Sequence, residues 1–305
     1  MMVPPPMPPG RHKDAALPMQ LAHKRRGWPA TALLLVSLTC ALAAFAAPVC
    51  TPHYPTPATL AAMFDMARST QQALDAVDGA QVVLLARGGQ DLSRYGLKHS
   101  HLAFALREDD GTWRVKHLLN HCKSDNSALY HEGLSNFIGE TALTADLRVG
   151  VPAPALQQQL RTLLQDPATL AHALHEARYS MIAYPFSTDY QNSNQWVLEV
   201  LAAALAATNA AEATAAPVSD RRSAQAWLKR NGYQPTRLHL DLSKRIGARF
   251  FVANAAVTDH PAGERISGNY SVITVESVFD FLQQQHMLQQ DQAIPHSVAT
   301  HGASP

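Results

Sequence analysis

The tightest constraint in this chain is a pair of apolar segments joined by a turn. Ser100 to Arg107 (SHLAFALR) and Thr112 to Leu119 (TWRVKHLL) both have strand length, and Asp109-Asp110-Gly111 between them is a hairpin signal. The second segment alternates large apolar and polar residues, as a strand must when its two faces differ. Gln81 to Ala86 (QVVLLA) is a third run of strand length, closed by a turn at Arg87-Gly88-Gly89.

Helical signals surround this hairpin. Thr56 caps a helix that starts at Pro57, carries Leu60, Phe64, Ala67 and Leu74 on one face, and ends at Gly79. Leu134 and Phe137 mark a short amphipathic piece. Pro154 to Gln165 bears Leu156, Leu160, Leu163 and Leu164 at helical spacing. Gln195 to Ala207 is a strong helix beginning just after Asn192-Ser193-Asn194, and Asp220 caps another that ends at Asn231-Gly232. Arg178–Pro185, Arg249–Asn254 and Tyr270–Thr274 are expected as further strands. Hairpins mixed with helices make this an α+β chain.

The first 46 residues read as an export signal. His23-Lys24-Arg25-Arg26 precedes an uncharged apolar run from Ala30 to Ala46, and Ala44-Phe45-Ala46 supplies the small residues that a signal peptidase cuts after. The run falls short of the ~20 apolar residues that a membrane span needs, so no transmembrane span is expected in the mature protein. Met19 gives a conventional signal length and is the expected start. The mature chain is read as one globular domain over residues 47–282, with a flexible stretch near 208–218 and a disordered tail over 283–305, in a periplasmic or secreted setting. Lys and Arg number 25 against 24 Asp and Glu, a balance that excludes nucleic-acid binding driven by a basic surface. No glycine-rich nucleotide loop follows a strand, and no cofactor is called for.

Two segments carry candidate chemistry. His99-Ser100-His101-Leu102-Ala103-Phe104 places His101 on a strand, and Asn192-Ser193-Asn194-Gln195-Trp196-Val197 places Ser193 at a helix start. A nucleophile there gains from the helix dipole and from nearby amide donors that can hold an oxyanion. A strand histidine can serve as its base, with a third polar group, His117 or Asn120, orienting the ring. The bland alternatives are a helix cap at Ser193 and a half-buried structural histidine at 101. A metal set of His99, His101, His117 and His121 with Asp125 is a weaker pattern, because the last pair falls where strand turns to loop. Asp259-His260 reads as a turn pair. Arg87, Gln90, Asp91 and Tyr95 form a polar stretch that suits a cleft wall or a solvated loop.

The order SHLAF then NSNQWV resembles the permuted papain-like fold of relatives of the NlpC/P60 cell-wall peptidases and of lecithin retinol acyltransferase. There the histidine strand motif comes first and an NC-x-x-F-V motif at a helix start comes later. That resemblance implies an antiparallel sheet packed with helices, and a hydrolase or acyltransferase on amide or ester bonds, with cell-envelope peptides as candidate substrates. Ser193 stands where the cysteine is expected, and a serine needs a stronger base than a thiol. The alternative is a catalytically inactive protein on the same scaffold that binds a cell-envelope peptide, lipid or protein ligand. Over a longer span, GQDLSRYGLKHSHLAF, WRVKHLLNHC, YQNSNQWVLEVLA, NAAVTDHP and ITVESVF resemble the bacterial family called domain of unknown function 2145, which implies a signal-bearing bacterial protein.

Export also sets the expectation for the cysteines. Cys40 leaves with the leader, and Cys50 and Cys122 remain as a pair in an oxidising compartment. Peptide mapping of the secreted protein without reductant is expected to recover Cys50 and Cys122 in one cross-linked fragment. Free thiols at both positions would refute the bridge.

Overall fold

The computed structural model describes residues 54–89, 91–122, 124–139, 146–165, 169–208, 217–241 and 254–295. All of them belong to one unit spanning Ala47–Pro305. The segment read as a leader, Cys50, and most of the stretches 208–218 and 249–254 lie outside the described residues.

In chain order the elements are α1 (Pro57–Asp75), β1 (Val82–Arg87), β2 (His101–Arg107), β3 (Trp113–Asn120), β4 (Ser127–Gly133) and α2 (Leu134–Ile138). Then come β5 (Leu147–Pro152), α3 (Pro154–Gln165), α4 (Leu170–Ala173), α5 (Ser193–Thr208) and α6 (Arg221–Arg230). The chain closes with β6 (Thr236–His239), α7 (Ala262–Ser267), β7 (Asn269–Val272), α8 (Val275–Gln284) and β8 (Leu288–Ile294). Six strands form one sheet in the order β4-β3-β2-β1-β5-β8, every neighbouring pair antiparallel, and β6 and β7 form a separate two-stranded sheet. The fold is therefore α+β, a six-stranded antiparallel sheet packed with helices.

The unbroken apolar runs of β1 and β2 follow from helices on both sheet faces. Val82, Leu84, Ala86, Leu102 and Phe104 pack with α3, α5, α6 and α8. Val83, Leu85, Ala103, Ala105 and Val115 pack with Met66 and Leu74 of α1 and Phe137 of α2. The helix starts behave as their sequences indicate: Thr56 accepts from the Thr59 amide, and Asp220 and Ser223 form a reciprocal capping box.

Two expectations are corrected. The tail from residue 283 is not wholly disordered, because Leu288–Ile294 pairs with β5 as an edge strand, in register from Leu147↔Ile294 to Val151↔Gln290 and then shifting to Pro152↔Leu288. Its Leu-Gln-Gln-Asp-Gln-Ala-Ile sequence hides the strand, since an edge that faces solvent keeps few apolar residues. What anchors it is Arg148, which stacks 3.9 Å over the Phe279 ring and pairs with both Asp291 oxygens at 2.8 and 2.6 Å. Residues 178–185 make only isolated bridges, Asn126↔Arg178 and Tyr179↔Gln191, before turning. That segment's Met181 amide goes to the Asn254 carbonyl at 2.8 Å, so it is held among loops and joins no sheet.

The loop leading into α5 is held by a buried ion pair. Glu199, fully buried on α5, meets Arg221 of α6 at 2.8 and 3.2 Å and also accepts from Gln191, Gln195 and Gln225. Arg221 spends its other donors on the Thr188 and Tyr190 carbonyls, at 3.0 and 2.9 Å. Burial pushes the Glu199 carboxyl up, while the guanidinium and the amide donors pull it back. Glu199→Ala, which leaves the buried Arg221 charge without its carboxylate, is expected to cost about 3–5 kcal/mol in denaturant unfolding. A loss below about 1 kcal/mol would mean that the pair does not hold the loop.

Candidate functional site

A cleft of about 500 Å³ opens where β2 begins and β3 ends, at the N-terminus of α5. His101, Asn120 and Ser193 line it together. Asn194 stitches its walls. The side-chain oxygen accepts from the Leu102 amide at 3.0 Å, and the side-chain nitrogen donates to the Ser100 and Ile273 carbonyls at 3.3 and 3.4 Å.

Ser193 is not the helix cap. Asn192 takes that role, its side chain accepting from the Gln195 amide at 2.7 Å and its carbonyl from the Trp196 amide at 3.2 Å. Ser193 is thus the first residue of α5, and its hydroxyl interacts with the phenol of Tyr179 in the cleft wall. Burial pushes the Tyr179 phenol up, and the hydrogen bond to Ser193 opposes that shift. The amides of Ser193 and Asn194 stand in the first turn, where a helix has no internal acceptors to offer them.

His101 heads a relay across three strands. Its Nε2 lies 2.8 Å from Nδ1 of His117 on β3, and His117 Nε2 lies 2.9 Å from a carboxylate oxygen of Glu132 on β4. The protons follow from the partners. With Glu132 as a carboxylate, His117 Nε2 donates, so its Nδ1 accepts. His101 Nε2 must then donate, and its Nδ1 carries the free lone pair. Burial, then the Arg87 guanidinium, then His117, hold His101 well below the ordinary histidine range. Burial, reinforced by Arg87, brings His117 down to about 3. Burial raises the Glu132 carboxyl, against the pull of Arg87 and of Asn136. The ring of Phe137 packs beside both histidines and beneath Arg87, at 5.7, 5.3 and 5.2 Å.

Of the two residues considered for orienting His101, His117 makes the bond. Asn120 lines the cleft, and its side chain donates to the His121 carbonyl at 3.2 Å. Alternation along β2 turns His101 toward the α1 and α2 side, whereas α5 packs on the other face. Ser193 and His101 therefore reach the cleft from two sides of the sheet end, and among the described residues no hydrogen bond joins them.

His99 precedes β2, with its ring on the Asp146 carbonyl at 3.1 Å. Among the described residues no group of three or more His, Cys, Asp or Glu side chains is arranged to hold a metal ion. Cys122 is disulfide-bonded, and Cys50 lies outside the described residues. His260 joins the Glu264 carboxylate of α7 at 2.8 Å and the Ile182 carbonyl at 2.6 Å, and makes no hydrogen bond to Asp259. Arg87 and Tyr95 do line the cleft, while Asp91 faces a neighbouring depression. Glu132 and Tyr179 escaped the sequence reading. Glu132 sits in a strand with little apolar alternation, and only the lateral register of β3 and β4 brings it to His117.

The chain matches the family described as an uncharacterized protein conserved in bacteria, DUF2145, over residues 73–282, and it belongs to that family. No curated protein and no solved structure matches it. Among the described residues no helix is long and apolar enough to cross a membrane.

The depressed His117 sets a pH dependence. Below its ordinary 6.5 the unfolded chain takes up a proton that the folded ring refuses until about pH 3, and His101 shifts in the same direction. Stability is therefore expected to fall as pH drops from about 6.5 toward 3, with the unfolded state binding more protons. Denaturant unfolding across that range should show the decline, and His117→Gln should flatten it. An identical slope in the variant would overturn the assignment.

Proposed function

We propose that this DUF2145 protein is an exported hydrolase or acyltransferase on a permuted papain-like, NlpC/P60-like scaffold, acting on amide or ester bonds. Ser193 is the nucleophile, His101 its base, and His117 with Glu132 the orienting relay. One observation carries the reading: the relay leaves Nδ1 as the unprotonated nitrogen of His101, and His101 and Ser193 line one cleft. A neutral imidazole is the form that a general base needs. That Asn192 does the capping supports it further, because capping does not account for the Ser193 hydroxyl.

In the proposed reaction Ser193 Oγ bonds to the substrate carbonyl carbon as its proton passes to His101 Nδ1. The amides of Ser193 and Asn194 receive the oxyanion. The tetrahedral intermediate then expels the leaving amine or alcohol, which takes the proton from His101. Water, or an acceptor alcohol or amine, attacks the acyl-serine as its proton passes to His101, and His101 returns that proton to Ser193 Oγ as the acyl product leaves. Because no hydrogen bond joins Ser193 to His101 among the described residues, bound substrate must draw the pair into hydrogen-bond reach, as Michaelis complexes commonly do.

The contact of Ser193 with Tyr179 favours a second reading, an inactive scaffold that binds a cell-envelope ligand in this cleft. A small fluorophosphonate separates the two. Labelling of Ser193, lost in Ser193→Ala and reduced by about 100-fold or more in His101→Gln, is the outcome expected of the enzyme. A folded protein whose Ser193 never labels is the binding protein.

A further inference from the structure

The cleft has two chemically different ends. Ser100, His101, Asn120 and Asn192 to Asn194 gather at one of them. The remaining lining is mostly hydrocarbon and aromatic, including Leu97 before β2, Tyr179 and Ile182 from the loop ahead of α5, Leu238 of β6, and Val272 and Ile273 at the end of β7, with His99 and Thr274 as polar members. Among the described residues no aspartate or glutamate lines it, and Arg87 is its one Lys or Arg. A peptide laid along such a wall would lose water from its amides and gain few partners, at about 1–3 kcal/mol for each group left unpaired. A hydrocarbon chain loses nothing there and gains the transfer free energy of every methylene that it buries. The volume of about 500 Å³ lies within the range of small-molecule sites.

We infer that the substrate is an acyl ester or amide whose uncharged hydrocarbon chain lies along this wall. Its carbonyl sits at the polar end, a placement that rests on the Ser193 reading above. The small sheet of β6 and β7 is then a specificity element. It contributes Leu238 and Val272 to the wall and is tied to α5 through the bond from Asn194 to Ile273. Cell-envelope peptides without an acyl chain are excluded as the preferred substrates.

Binding can be read without turnover. The full chain carrying Ser193→Ala is titrated with cis-parinaric acid methyl ester, a slim fluorescent acyl ester, and an unacylated neutral tripeptide amide is offered as competitor. Saturable binding that the tripeptide does not displace is expected. Ile182→Trp, which fills the wall, and Leu238→Asp, which charges it, should each weaken binding by about tenfold or more. The two positions are half-buried, so at least one variant should fold, as circular dichroism will show. Absent binding, displacement by the tripeptide, or unchanged affinity in a folded wall variant would overturn the inference. If Ser193 of the wild type labels with fluorophosphonate while the ester does not bind, the acyl inference falls and the hydrolase reading stands. If the ester binds at this wall and Ser193 never labels, the acyl site stands and the hydrolase reading falls.

Discussion

The Asn194 side chain is the contact on which the site depends. With one amide it joins the start of α5 to the backbone of β2 on both sides of His101 and to the strand end at Ile273. Each such bond is worth only about 1 kcal/mol net, but its loss leaves buried backbone groups without partners, which costs more than the bond contributed. A second restraint acts from behind. Glu199 lies on α5 beyond Asn194 and, through Arg221, holds the carbonyls of the loop that delivers Asn192 and Ser193. The first turn of α5 is thus located by polar contacts, while the rest of the helix is located by apolar packing.

The titrating groups follow one logic. Arg87, His101, His117 and Glu132 meet at one end of the sheet, around the Phe137 ring, with little water. In that setting a second positive charge near Arg87 is costly, so both histidines stay neutral, and Glu132 fixes which nitrogens hold the protons. The relay therefore specifies a tautomer at His101, the one of its two rings that lines the cleft with Ser193. A serine nucleophile makes that demand stricter than a cysteine would, because it gives up its proton only when a correctly disposed base accepts it in the same step.

Much of the scaffold is legible locally. The hairpin of β2 and β3, the helices α1, α3, α5 and α6, and their caps at Thr56 and Asp220 all announce themselves through periodicity and end signals. These depend on contacts within a turn or a pleat. The edge strand β8 does not, because an edge has no second apolar face to display, and residues 178–185 look like a strand only because their apolar content serves the cleft. Membership in a bacterial family over residues 73–282 agrees with the segments that first resembled it.

By itself, then, the sequence determined the α+β class, the strand that bears His101, and the helix start that bears Ser193, since each is written in neighbouring residues. Tertiary structure alone decided that His117 and not Asn120 bonds His101, that Glu132 closes the relay, and that Asn192 relieves Ser193 of capping. It also decided that Ser193 faces Tyr179 and that apolar residues from four separate segments form one wall. These depend on strand register, on which side chains lose water, and on loops distant in sequence meeting at the sheet end, none of which leaves a periodic trace along the chain.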